Sequence, residues 1–137
     1  MAVLMTGRDA ADRTVHGRWS VRRAPARGGR AALEVYEDGE LVDVLVASAL
    51  VAASPDGLLR GARRGTDGTF AWGRLGADGA APQVLVADRR LRPHWLPARV
   101  SLVPGGFWWA HLPEPGVAVV ARRADGAVGR LRPSRVG

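Results

Sequence analysis

Short runs of alternating or continuous apolar residues recur along most of the chain, and each run ends at a turn signal. Asp-Gly pairs supply five of these signals, at residues 38–39, 56–57, 67–68, 78–79 and 125–126. Asp-Gly favours the positive backbone angles that a tight β-hairpin turn needs. Three consecutive pairs are spaced 11 residues apart, which fits one short strand plus one turn. This spacing predicts a β-meander with strands at 58–64, 70–75 and 84–87.

Proline and glycine mark the turns in the last third of the chain. The segments 104–106 (Pro-Gly-Gly) and 113–116 (Pro-Glu-Pro-Gly) separate predicted strands at 99–103, 107–112 and 117–122, and a last strand is predicted at 127–131. The stretch from Gly106 onward, GGFWWAHLPEPGVAVVARRADGAVGRL, resembles the end of small Ig-like or prealbumin-like sandwich modules. The resemblance lies in the turn chemistry, and it implies a fold without implying a function.

Together these signals predict an all-β fold of nine or ten short strands. The expected architecture is a single antiparallel β-sandwich, Ig-like or prealbumin-like, or a small barrel. Residues 13–132 are expected to form this single β domain, with a flexible N-terminal segment at 1–12 and a C-terminal tail at 133–137. The apolar stretch 41–53 is either one long strand or a strand followed by a short helix near 47–53, because periodicity does not separate the two.

The composition fits a globular domain of 137 residues, 47% hydrophobic and 24% charged. The formal charge is +7, all 20 basic residues are arginine, and lysine, isoleucine and asparagine are absent. This bias is typical of a GC-rich genome, such as that of a high-GC bacterium, so basicity is weak evidence for nucleic-acid binding. Cysteine is absent, which excludes disulfides and thiolate chemistry. No apolar run approaches the ~18 residues of a membrane helix, and the apolar N-terminal stretch is short for a secretory signal, so we expect a cytoplasmic location.

Charge is arranged in two adjacent blocks of opposite sign. Residues 13–30 include six arginines and no acid, while residues 31–59 include six acids and no arginine. Codon bias alone would scatter arginine evenly along the chain. The blocks therefore meet either within one chain, as the first strands pair, or between chains, as a head-to-tail assembly.

The hairpin 32–46 offers the first candidate chemistry. With its turn at the first Asp-Gly pair, Glu34 is predicted to lie opposite Asp43. Two carboxylates across a ladder repel each other. If they are shielded from water, one would have a raised pKa and act as a general acid, or the pair would hold a cation. The alternatives are that water solvates both carboxylates, or that Arg22 or Arg23 neutralises them.

The three histidines form no recognisable metal or triad pattern. His94 lies in a proline-bracketed loop, and His111 shares a strand face with Phe107 and Trp109. A third ligand is missing, and zinc sites use at least three protein ligands. No phosphate-binding loop, nucleophile elbow, zinc spacing or calcium loop occurs in the sequence. We therefore expect no metal and no cofactor; His111 is a weak catalytic candidate and is more simply a residue that closes the core.

Five tryptophans are many for a chain with one tyrosine and two phenylalanines. Trp108 and Trp109 are consecutive on one strand, so they point to opposite faces, and Trp95 lies in the proline-rich loop. Either all three are buried because the strand is covered on both faces, or one of them is an exposed anchor at a binding surface. We predict a binding site formed by these residues: Trp95, Trp108, His94, Arg89, Arg90, Arg92 and Arg99.

Three functions are compatible with these patterns. The first is a non-enzymatic interaction or assembly module that acts by protein–protein contact, as part of a homo-oligomer or a larger complex. The second is nucleic-acid binding, by bases that stack on tryptophan and phosphates that pair with arginine. The third is a small β-barrel with a small-molecule site in its interior. The sequence favours the first, because tryptophan occurs beside arginine and no catalytic motif accompanies them.

Overall fold

The structure, a computed structural model, describes residues 13–47 and 57–136, which form β-strands joined by short turns. The predicted N-terminal segment 1–12 and nearly all of the helix considered near 47–53 lie outside these described residues. The chain divides into two units, Met1–Ala47 and Ser48–Gly137. The single domain expected for residues 13–132 stays a prediction. Within the described residues, no helix has the length and apolar character required to cross a membrane.

The first unit is a meander of four antiparallel strands in the order β1-β2-β3-β4, which we call sheet 1. Asp38 and Gly39 have φ angles of 52° and 83°, so the Asp-Gly turn between β3 and β4 has the predicted backbone. The buried face of the sheet contains Trp19, Val21, Leu33, Val35 and Leu45. The strands are β1 Arg13–His16, β2 Trp19–Pro25, β3 Ala31–Glu37 and β4 Glu40–Val46, with a 3-10 turn at Arg27–Gly29.

A β-bulge in β4 changes the pairing that was predicted for this hairpin. The register next to the turn is the predicted one, but further along Val35 lies opposite Asp43, so Val42 is the extra residue. Glu34 therefore lies opposite Val44, and the prediction that it faces Asp43 is wrong. A bulge shifts the alternation of one strand by a residue. In β4, residues 41, 42, 44, 45 and 46 are all apolar, so the sequence gives no sign of where the shift occurs.

The second unit contains two open sheets, which we call sheet 2 and sheet 3. Sheet 2 has the order β13-β5-β6-β10-β9, and sheet 3 has the order β12-β11-β7-β8. Neighbouring strands are antiparallel, except that β13 runs parallel to β5. The strands are β5 Gly61–Gly65, β6 Gly68–Arg74, β7 Gln83–Ala87, β8 Trp95–Pro97, β9 Arg99–Val103, β10 Phe107–Leu112, β11 Ala118–Arg122, β12 Val128–Leu131 and β13 Ser134–Arg135.

The turn signals located seven of these strands, and the predicted all-β class is confirmed. Two short strands were not predicted: β8 lies in the proline-rich loop, and β13 lies in the predicted C-terminal tail. All three sheets of the described residues are open at both edges, so the alternative of a small closed barrel is wrong for this part of the chain.

The core of the second unit contains residues from both of its sheets. Ala71, Trp108 and Ala110 from sheet 2 belong to the same buried cluster as residues of β7 and β11 from sheet 3. The Trp108 indole Nε1–H donates a hydrogen bond to the carbonyl oxygen of Leu58 at 2.9 Å. Gly73 allows this approach, because a Cβ there would collide with the Leu58 carbonyl and lie 2.9 Å from the indole nitrogen.

Candidate functional site

A groove of about 490 Å³ lies on the outer face of sheet 3, and we call it the arginine–tryptophan groove. Its floor includes Ala87 on β7 and Ala118 on β11, which alternate with core residues on the same strands. Trp95 on edge strand β8 and Arg130 on edge strand β12 lie on either side of this floor. The remaining lining residues are Arg89, Arg90, Pro93, Val117, Leu131 and Arg132.

Trp95 and Arg130 meet across the full width of sheet 3. Their strands are separated by β7 and β11, so the two backbones are roughly 14 Å apart. The guanidinium carbon of Arg130 nevertheless lies 5.9 Å from the centroid of the Trp95 ring, within the range of a cation–π attraction. The contact is diagonal in the register: Trp95 lies beside Ala87, which lies beside Ala118, whereas Arg130 lies in the next row on the same face, beside Val120. The two methyl side chains leave room for the long side chains to meet above them.

Four arginines line the groove, and none of its lining residues is acidic. Among the described residues, no carboxylate forms an ion pair with Arg90, Arg130 or Arg132. Positive charge is therefore concentrated around a half-exposed apolar ring. Arginine recognises carboxylates and phosphates through two parallel hydrogen bonds, so this arrangement suits a negatively charged ligand.

The loop 88–94, which forms one rim of the groove, is closed at its base by Asp88. The backbone N–H of His94 donates to Asp88 Oδ1 at 2.9 Å, and His94 Nδ1 lies 3.4 Å from Oδ2. This backbone hydrogen bond is the main cause that lowers the pKa of Asp88. Arg89 Nε–H donates to the carbonyl of Arg92 at 3.1 Å, and Arg92 has a φ of 49°, which is uncommon outside glycine.

Three of the predicted binding residues line the groove: Trp95, Arg89 and Arg90. Arg92 and His94 are exposed in the adjoining loop, and they bond to Arg89 and Asp88 rather than line the groove. Arg99 lies on β9 of sheet 2, opposite His111, and is not part of the groove.

Trp108 is not an exposed anchor, and its assignment to the binding site is wrong. It is fully buried in the core of the second unit. Trp109 points to the other face of β10, where it is 8% exposed and stacks on Phe70 at a centroid distance of 5.5 Å. β10 is thus buried on both faces, which leaves Trp95, at 38% exposure, as the one accessible tryptophan of the five in the chain.

Arg130 and Arg132 are groove residues that the sequence analysis missed. They belong to the last predicted strand and the residue after it, and a two-residue spacing places both on one face. That signal was present in the sequence. The missing information was the strand order of sheet 3. This order makes β12 and β8 the two edges of one sheet, so their side chains share a face although the strands are distant in the chain.

The two carboxylates of the first hairpin do not form a pair. Glu34 Oε1 accepts hydrogen bonds from Arg22 at 3.1 Å and from the Tyr36 hydroxyl at 2.8 Å. The bond to Glu34 raises the pKa of Tyr36. Asp43 instead accepts the backbone N–H of Val44 at 2.9 Å. Arg22 is thus the neutralising partner considered as an alternative, and no general acid or cation site is built from the hairpin pair.

Among the described residues, the two charge blocks meet within the chain, as two ion pairs show. Arg22 pairs with Glu34 at 3.1 Å, and Arg18 Nη1 lies 3.7 Å from Asp38 Oδ2. His111, the other catalytic candidate, is half-buried on sheet 2 opposite Phe70 and shares the face of Phe107 and Trp109, as predicted. Within the described residues, 13–47 and 57–136, no three His, Cys, Asp or Glu side chains converge as a metal site would require.

No protein-family model, curated protein or solved structure matches this chain.

Trp95 should be the residue that responds to quenchers in solution. The other four tryptophans are between 0% and 8% exposed, so iodide should quench only a minor part of the total fluorescence. The surrounding arginines attract anions, so iodide should quench this part more efficiently than caesium at equal concentration. Trp95→Phe should remove most of the iodide-sensitive component, whereas an unchanged iodide response in this variant would contradict the assigned exposures.

The pH dependence of the 88–94 loop should follow the carboxyl group of Asp88. Its pKa is lower in the folded protein, so its stabilising contact is complete above the ~3.9 of an unperturbed aspartate and is lost as the pH falls through the lower folded value. The amide signal of His94 in NMR spectra should therefore titrate with a midpoint below ~3.9. A midpoint at or above that value, with β10 amides still native, would show that the contact is not formed.

Proposed function

We propose that this protein is a non-enzymatic interaction module that binds an acidic segment of a partner protein in the arginine–tryptophan groove. The observation that carries the proposal is the lining of the groove: an exposed tryptophan, four arginines and no acid. Tryptophan and arginine are the residue types enriched among the energetically dominant positions of protein interfaces. Opposite charge would speed the encounter and select partners that have carboxylates.

The number of aromatic rings favours a protein partner over a nucleic acid. Surfaces that bind single strands stack successive bases on several aromatic side chains. The groove has one such ring, Trp95, and its face is already contacted by the guanidinium of Arg130. Carboxylate side chains need no stacking platform, and they pair with arginine directly.

We infer that the second unit is a two-layer β-sandwich. The support for this inference is the buried cluster that sheet 2 and sheet 3 share. A packed pair of sheets would hold the groove rigid before a partner arrives, which reduces the entropy lost on binding. The cytoplasmic location and the self-association considered from the sequence also stay predictions.

The proposal is tested by titrating the protein with an acidic peptide while recording Trp95 fluorescence. The groove variant is Arg130→Gln with Arg132→Gln. The matched control is Arg23→Gln with Arg99→Gln, which removes the same charge from two exposed positions outside the groove. We expect the groove variant to bind on the order of tenfold or more weakly at moderate salt, and the control to stay near wild type.

Two results would overturn the proposal. In the first, the acidic peptide causes no fluorescence change and no detectable binding at low salt. In the second, the control variant loses as much affinity as the groove variant, so that net charge and not the groove is responsible. A single-stranded oligonucleotide is titrated in parallel; if it binds in an Arg130-dependent way and the peptide does not, nucleic-acid binding replaces protein binding as the function.

A further inference from the structure

The backbone of β12 has hydrogen-bonding groups directed away from its sheet. The N–H of Arg123 bonds to the carbonyl of Ala127, so these two residues form a hydrogen-bonded pair of the β11–β12 ladder. Along an antiparallel ladder, hydrogen-bonded pairs alternate with pairs that exchange no hydrogen bonds. The register Ala121–Gly129 and Val119–Leu131 continues the bonded series.

The residues between those pairs direct their N–H and C=O groups outward. These are Val128 and Arg130, which lie opposite Arg122 and Val120 without exchanging bonds with them. Among the described residues, β11 is the only strand hydrogen-bonded to β12. β12 is therefore an open edge that can accept a further strand through the donors and acceptors of two residues.

The side chains along this edge give it a defined specificity. Arg130 and Arg132 are two residues apart and line the same groove, so their positions match alternate residues of an extended strand. Val128, two residues before Arg130, is 53% exposed. The edge thus presents one apolar and two positive side chains in a row, with Trp95 across the groove.

We propose that the acidic segment binds by strand addition: it pairs antiparallel with the edge of β12, and its carboxylates alternate with other residues. In this register, one carboxylate lies opposite Arg132, a second lies opposite Arg130 two residues later, and an apolar side chain lies opposite Val128. The segment therefore has the pattern acid-x-acid-x-apolar from its N-terminus to its C-terminus. The segment then lies along the β12 rim of the groove and not over its floor, and Arg130 turns from the Trp95 ring to meet its carboxylate. This inference rests on the proposed function and adds to it the binding mode and the ligand sequence.

Two other edge strands, β8 and β4, suit this ligand less well. β8 has three residues, lies between Pro93 and Ala98, and ends at Pro97, which has no N–H to donate. β4 of the first unit has exposed apolar residues, but Glu40 and Asp43 lie on the same strand and would repel an acidic segment. Of the strands that the structure describes, β12 is the edge strand that contributes an arginine, Arg130, to the groove.

The test uses the peptide Thr-Glu-Thr-Glu-Thr-Val-Thr, blocked at both ends, and two backbone-methylated forms. Methylation on the nitrogen of the second glutamate removes the N–H that would bond to Arg130 and places a methyl group in the strand interface. Methylation on the nitrogen of the threonine between the glutamates alters an N–H that points away from β12. Both forms keep the same charges and side chains, so they form a matched pair.

We expect the first methylation to weaken binding on the order of tenfold or more and the second to change it by about twofold or less. A peptide with the same composition but adjacent glutamates should bind less tightly than the alternating one, because one carboxylate then points to the opposite face. Equal affinities for both methylated forms would overturn strand addition. If both methylated forms bind equally and their binding still requires Arg130 and Arg132, the proposed function holds without strand addition. If no form of the peptide binds, the proposed function is overturned, and strand addition with it.

Discussion

Replacing Trp108 by phenylalanine should destabilise the second unit by about 2–4 kcal/mol. Trp108 is fully buried, and its indole N–H is the donor for the Leu58 carbonyl. Phenylalanine removes this donor and leaves a buried acceptor without its partner, at a cost of about 1–3 kcal/mol. The smaller ring also leaves a cavity among the side chains that sheet 2 and sheet 3 contribute to the shared cluster.

The matched control is the same substitution at Trp95. This side chain is 38% exposed and contacts Arg130 above the groove, so Trp95→Phe should change stability by about 0.5 kcal/mol or less. Both variants are compared by urea denaturation. Unfolding is monitored by far-UV circular dichroism and not by fluorescence, so that the lost indole does not bias the signal. Equal stability losses in the two variants would mean that the assignment of Trp108 to the core and Trp95 to the surface is incorrect.

The parts of the fold that the sequence predicted are those that depend on a few adjacent residues. Asp-Gly and the proline-glycine segments define turns locally, and the strands between them were therefore located to within a few residues. The bulge at Val42 and the short strand β8 depend on how each strand pairs with its neighbour in the sheet. No local propensity determines such features, which is why the predicted Glu34–Asp43 pair was out of register.

The candidate site divides in the same way. Trp95, Arg89 and Arg90 are close in the sequence, so composition alone drew attention to them. Arg130 and Arg132 join them only because β7 and β11 separate the two edges of sheet 3 with alanines on the groove face. The choice between Trp108 and Trp109 as a surface residue failed for a related reason: β10 is covered on both faces, which alternation within one strand cannot reveal.

The second large effect is expected at Thr69, a side chain that the sequence analysis did not single out. Its hydroxyl accepts the backbone N–H of Gly116 at 2.7 Å and donates to the carbonyl of Glu114 at 2.8 Å. Thr69 is 1% exposed, so water does not replace these bonds when the hydroxyl is lost. Two backbone groups of the 113–116 turn are thereby tied to β6 of sheet 2.

Thr69→Val keeps the shape of the side chain but removes both hydrogen bonds. We expect a loss of about 2–3 kcal/mol in the free energy of unfolding, because the N–H of Gly116 would be buried without an acceptor. A Cβ at Gly116 would collide with Val86 and lie 3.2 Å from the Thr69 hydroxyl oxygen, so the turn is packed too closely to move aside. Gly116 also leads into Val117 and Ala118, which line the arginine–tryptophan groove. The variant should therefore also weaken the binding of an acidic peptide.

Thr69→Ser distinguishes the contribution of the two hydrogen bonds to stability from that of side-chain packing. Serine retains the hydroxyl and loses one methyl group, so its loss of stability should be about 1 kcal/mol or less. Urea denaturation of the three proteins, followed by peptide titration of those that are folded, measures both consequences. If the valine variant were as stable as the serine variant, the bonds to Gly116 and Glu114 would contribute little. The turn would then be positioned by packing against Val86 and by the hydrogen bond from the Val117 N–H to the Ala87 carbonyl.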